Sequence, residues 1–202
     1  MARLSSLKLL LAASLLGTAW GSLKTNAKNA PFDVVFDVNT GGDAPQTKSF
    51  TVRVHPNWAP KGAEQFKSLV KQGWYDNAGV FRVVPHFVAQ FGLPAKPHPE
   101  LPSIQDDPVK MSNTRGTVVF ATAGENTRTS QLFFNYGDNS FLDSKGFSPF
   151  AEVLGDGMQI VDSFYKGYGE KPSQGAITAQ GNAYLDKNFP KLPKITKATV
   201  SA

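Results

Sequence analysis

The chain has no cysteine among its 202 residues. Disulfides, thiol nucleophiles and thiolate metal sites are therefore all excluded. Its three histidines, His55, His86 and His98, show no metal-ligand spacing, and each reads as a solvated or loop side chain. Neither a Gly-x-Ser-x-Gly elbow nor a phosphate-cradling glycine loop occurs. The one adjacent carboxylate pair in the proline-rich middle, Asp106-Asp107, stands beside Pro108 and reads as solvent-facing. Lysine and arginine are scattered rather than clustered, so no nucleic-acid surface is expected.

Long apolar runs are also missing. The run Leu9–Leu16 is shorter than the roughly 20 residues that span a bilayer. Basic Arg3 and Lys8 precede it, and Ala19-Trp-Gly21 follows with small residues at the two positions a signal peptidase needs. Residues 1–21 read as a secretory signal peptide, residues 22–31 as a flexible lead-in and residues 32–202 as one domain. Removing the signal takes away two positive charges and no acidic ones, so the formal net charge of +5 falls by two to +3. The expected location is the secretory pathway, either outside the cell or in a periplasm. The terminal Thr199-Val-Ser-Ala202 is no endoplasmic-reticulum retention signal, which weighs against lumenal residence.

What is abundant is glycine and proline, 18 and 14 residues, between short β-branched and aromatic runs. That pattern favours an all-β barrel or sandwich. Phe32–Val38 and Ser49–His55 read as a strand pair, the second alternating Phe50, Val52 and Val54 with polar neighbours. Ala63, Phe66, Leu69 and Val70 recur at helical spacing after Pro60, predicting a helix over 60–71 that Gly73 ends. Residues 94–110 read as an irregular loop. Thr117–Thr122 and Gln131–Tyr136 read as strands, Phe141–Pro149 as a loop and Phe150–Leu154 as a strand. Asp156–Tyr165 gives a second short helix, 166–190 an irregular surface, and Lys194–Val200 a last strand against the first.

The stretch Val80–Gly92 organises the rest. Pro85 divides it into two short strands, and alternation puts Val80, Arg82 and Val84 on one face. Arg82 is an always-charged donor in an apolar strand. It reads either as a cation on a solvated face or as a donor aimed into an apolar pocket.

Phe-Arg-Val-Val-Pro-His-Phe-Val-Ala-Gln-Phe-Gly, ending at Gly92, resembles the signature strand pair of the cyclophilin-type peptidyl-prolyl isomerases. Phe120–Phe134 resembles the other half of that family's active site, and Phe141-Leu-Asp and Phe150–Asp162 continue in the same order. The likeness spans 32–200. It implies a mainly β fold, a closed eight-stranded antiparallel β-barrel capped by two α-helices. It also implies catalysis of X-Pro rotation without cofactor or metal, on proline-containing polypeptides. A monomer is the default expectation, with no membrane needed after signal cleavage.

By the same resemblance, Phe87, Val88, Phe133 and Leu142 would line the proline slot, with Ala121 beside it. Arg82 would donate toward the prolyl nitrogen. Gln90 and Gln131 would position Arg82 and the substrate carbonyl, and the backbone of Thr122 would bind the peptide. Several residues depart from the family pattern. Glu125 stands for proline, Thr122 for asparagine, Thr129 for glycine and Phe91 for the first glycine of a pair. Phe141 replaces a tryptophan and loses its indole donor, so weak cyclosporin binding is expected. Phe147 is the substitute for the usual pocket histidine. The alternative, from another class, is a module that grips proline segments without turnover.

Overall fold

Phe32–Asn39 (β1) and Thr47–Val54 (β2) set the pattern of the sheet. In β1, Val34, Phe36 and Val38 are fully buried, with Asp33 and Asp37 facing the other way. The register pairs Phe36 with Phe50 and Val34 with Val52, so both strands turn their apolar residues to one side. The computed structural model describes residues 29–201. The expected signal segment and most of the lead-in lie outside the described residues.

Seven more strands follow: Ala78–Gly79 (β3), Arg82–Val84 (β4), Val88–Phe91 (β5), Thr117–Phe120 (β6), Leu132–Asn135 (β7), Pro149–Val153 (β8) and Lys194–Val200 (β9). They form one sheet in the order β3-β9-β1-β2-β8-β6-β7-β5-β4. Each neighbouring pair is antiparallel. The last strand does pair with the first.

The closed eight-stranded barrel is not what forms. The sheet has nine strands, and its ladder stays open between β3 and β4. These two ends are consecutive in the chain, separated only by Val80 and Phe81. A segment pairs with its own continuation only through a tight turn, and Val-Phe carries no turn chemistry. The segment changes partners instead, meeting β9 through β3 and β5 through β4. Val80 joins the main core and Phe81 a second cluster, so the expected alternation from Val80 through Arg82 breaks at this switch.

Pro60–Lys71 (α1) begins and ends where its spacing predicts, and buries Ala63, Phe66, Leu69 and Val70. Phe66 packs on Phe36, Tyr75 and Phe150, with ring centroids 5.1–6.2 Å apart. The residue before the helix, Ala59, offers no capping side chain. The cap comes from 45 residues away. Asp107 accepts hydrogen bonds from Lys61 N–H at 3.1 Å and Gly62 N–H at 2.9 Å, placing a carboxylate at the positive end of the helix.

Asp107 is thus buried rather than solvent-facing. Arg128, also buried, lies 3.2 Å from it and 3.0 Å from Asp106. The loop 94–110 is also tied down by a β-bridge between Ile104 and Arg128.

Helical content exceeds the two predicted helices. Gly157–Asp162 (α2) is shorter than expected, and Ser140–Lys145 forms a 3-10 turn within the expected loop. Gln174–Gln180 (α3) and Asn182–Asn188 (α4) occupy the stretch read as irregular. Ser173 caps α3 by accepting from Ala176 N–H at 3.3 Å. Ile177 and Leu185, one from each helix, join Phe81, Leu93 and Leu192 in the second cluster. Each helix has only seven residues and one buried apolar side chain, too little for a periodicity signal.

Candidate active site

The register sets Arg82 opposite Gln90, Gln90 opposite Phe133 and Phe133 opposite Val119. These four residues form a row across β4, β5, β7 and β6. Strand parity puts their neighbours Val83, Ala89, Phe134 and Val118 in the main core. The row therefore lies on the opposite face, where Val88, Val119, Phe133 and Leu142 form a separate apolar cluster with Phe87, Ala121 and Phe147 beside it.

Arg82, Phe87, Val88, Gln90, Ala121, Thr122, Phe133, Leu142 and Phe147 surround a cavity of about 150 Å³. A cavity near that size holds a benzene ring, so it has the volume for a five-membered pyrrolidine ring. Phe147, the histidine substitute, closes one wall edge-on to Phe133 at 5.9 Å. Two expected residues do not line it. Phe141 is 52 % exposed and stacks on Phe87 at 6.0 Å from outside. Gln131 lies outside the lining, where its Oε1 accepts from Gln90 Nε2 at 2.9 Å.

Arg82 lies at the rim, its guanidinium 5.3 Å from the Phe87 ring centre. Its Nη1 donates to Gln90 Oε1 at 3.4 Å, and its Nε to Glu170 Oε1 at 2.5 Å. Among the described residues Nη2 has no protein partner. Thr122 holds its hydroxyl within its own loop, against Gly124 and Thr127. Its backbone N–H and C=O have no partner among the described residues, which leaves both for an extended chain.

Sequence reasoning missed the polar layer that fixes the pocket's loops. Asn113 Nδ2 donates to Phe147 C=O at 2.8 Å and to Asp143 Oδ1 at 2.6 Å. Asn139 Nδ2 donates to Phe87 C=O at 2.9 Å. The 3-10 turn carrying Leu142 is thereby bound to both aromatic walls. Burial pushes the Asp143 carboxyl up, but hydrogen bonds from Asn113 and Ser112 outweigh it and hold the group below its ordinary value. No local pattern announces these contacts, which join residues 30 or more apart.

The departures from the family pattern fit the structure where they can be checked. Phe91 is fully buried and stacks on Phe134 at 5.1 Å. The retained Gly92 is the strained member, with φ of +106° and room for no Cβ, since one would lie 2.4 Å from Ser130 C=O. His55 is not simply solvated: it stacks on Trp58 at 3.9 Å and bonds Glu152 at 2.9 Å. His86 is an exposed turn residue with φ of +63°.

Residues 35–183 match the family model for cyclophilin-type peptidyl-prolyl cis-trans isomerases. A peptidyl-prolyl cis-trans isomerase of Acinetobacter baylyi is 33 % identical over 120 residues, 55 % of this chain and 63 % of its own. Peptidyl-prolyl cis-trans isomerase-like 1 of Aspergillus fumigatus is 32 % identical over 136 residues, 64 % of this chain and 79 % of its own. A probable isomerase of Brucella abortus is 28 % identical across 96 % of this chain and 95 % of its own. The crystal structure of a cyclophilin-type isomerase of Cryptosporidium parvum shares the fold, with a TM-score of 0.62 at 18 % identity over 86 % of this chain and 99 % of that one. The chain belongs to the cyclophilin-type peptidyl-prolyl cis-trans isomerase family. Its enzyme class is isomerase.

Proposed function

We propose that this isomerase turns X-Pro bonds of exported polypeptides between cis and trans, with Arg82 as its catalytic residue. Rotation about an X-Pro amide costs about 18–20 kcal/mol, because the nitrogen lone pair is delocalised into the carbonyl. The lone pair is localised only when the amide twists. A donor aimed at the nitrogen then binds the transition state better than the ground state, and this difference accelerates the reaction. A charge-assisted hydrogen bond contributes about 1.5–3 kcal/mol, or roughly ten- to a hundredfold in rate. The rest would come from holding the ring in the cavity and the flanking chain along Thr122.

The observation that carries this reading is Arg82 Nη2, unpartnered among the described residues, at a cavity sized for one ring and walled by Phe87, Val88, Phe133, Leu142 and Phe147. The N-terminal charge and apolar pattern supports action in the secretory pathway, outside the cell or in a periplasm. The protein works as a monomer, and Phe141 makes its cyclosporin binding weak.

The test is cis-to-trans exchange of a short X-Pro peptide by the chain lacking residues 1–21, compared with Arg82→Ala. A fall of at least tenfold with an unchanged melting temperature is expected. No acceleration by the wild type would leave a proline-binding module without turnover. Equal acceleration by both would discard Arg82 as the catalytic residue.

A further inference from the structure

The second apolar cluster stands apart from the main core and from the cavity. Phe81, next to Arg82 in sequence, is one of its buried members, and Tyr168 packs against it. The Tyr168 ring meets Phe189 edge-on at 5.0 Å and Tyr165 at 5.2 Å, and its hydroxyl accepts from Lys191 N–H at 3.3 Å. Gly169 follows with φ of +56°. Its C=O accepts from Val83 N–H at 3.1 Å, while its own N–H donates to Lys166 C=O at 3.0 Å. The next residue is Glu170, whose carboxylate takes Arg82 Nε at 2.5 Å.

The turn is therefore fixed at three points: by Tyr168 in the cluster, by the Lys166–Gly169 bond within it and by Gly169 on the outer edge of β4. An arginine side chain has several rotatable bonds, and a fixed acceptor on Nε selects one orientation of its plane. Gln90 holds Nη1 from the other side. With two guanidinium nitrogens engaged, the third is presented without further loss of freedom when substrate arrives.

We propose that Glu170 is a positioning residue for Arg82, and that the α3–α4 cluster anchors the turn that delivers it. This inference rests on Arg82 being the catalytic residue. Glu170 bonds Arg82 and does not line the cavity, so it acts through the guanidinium. Its side chain is 60 % exposed, so its replacement leaves the folded state in place.

The experiment compares Glu170→Ala and Glu170→Gln, each alone and with Arg82→Ala, by peptide exchange rate and by the nitrogen–proton resonance of Arg82 Nε. In the wild type that resonance is shifted by the carboxylate and protected from solvent exchange. Glu170→Ala abolishes the protection and lowers kcat/KM about two- to fivefold, the scale of an exposed charged pair. Glu170→Gln keeps an acceptor and regains part of both. In the Arg82→Ala background the same substitutions change nothing further.

Gly169→Val keeps the carboxylate but strains the left-handed turn, and it reproduces the losses of Glu170→Ala. Full rate and an unchanged Nε signal in Glu170→Ala would overturn the proposal, as would an equal loss without Arg82. If the wild type does not isomerise the peptide, the reaction assignment fails, and the Nε signal alone decides the contact.

Discussion

Two arginines in this fold show how environment separates structure from chemistry. Arg128 has a side chain only 3 % exposed. It meets Asp106 and Asp107, donates to Gln105 C=O and lies 5.8 Å from the Phe120 ring. Arg82 has a side chain 28 % exposed and meets one exposed carboxylate, one amide and one ring. The first spends both Nη groups on tying a loop to a helix end. The second lines the cavity, and its Nη2 has no partner among the described residues. The guanidinium proposed as catalytic is the one its surroundings hold at two of its three nitrogens.

The contrast can be broken most strongly at the buried end. Removing one partner of a buried ion pair costs about 3–5 kcal/mol. Arg128→Ala should therefore lower stability by that amount in denaturant melts, since Asp107 stays buried beside the start of α1. A variant as stable as the wild type would show that water replaces the guanidinium there. At the other end, Arg82→Lys should leave the melt unchanged. Lysine is a point charge without the fork, so kcat/KM for an X-Pro peptide should drop about ten- to a hundredfold.

Gln90→Ala sharpens the same comparison by loosening Arg82 without removing it. One hydrogen bond of about 0.5–1.5 kcal/mol predicts a two- to tenfold loss of rate. Phe141→Trp restores an indole donor outside the cavity and should tighten cyclosporin binding about fivefold by titration, again the size of one bond.

The smallest expected effect is at acid pH. The Asp143 carboxyl is held below its ordinary value of 3.8, so its contribution to stability is present above that pH. The contribution is lost as pH falls through the lowered folded-state value. Asp143→Asn should flatten that part of the acid-unfolding curve, and an unaltered curve would assign the acid limb to other carboxylates.

The sequence made the local features legible. Period-two alternation marked β1 and β2, and the 3.6-residue stripe with Pro60 and Gly73 marked α1 to the residue. Arg82, Phe87, Val88 and Phe133 could be singled out because three short blocks keep their order along the chain. The short helices α3 and α4 were not legible, since one buried residue each leaves no period to detect.

By itself, then, the sequence determined the strand alternation, α1 and the chemistry on offer, because these depend on neighbours within a few residues. The tertiary structure alone decided that β3 and β4 end the ladder rather than close it. It alone brought Asp107 to the start of α1, Asn113 to the pocket walls and Glu170 to Arg82. Those contacts span 34 to 88 residues. No local propensity encodes a pairing at that distance; it forms only when the packed core brings the two segments together.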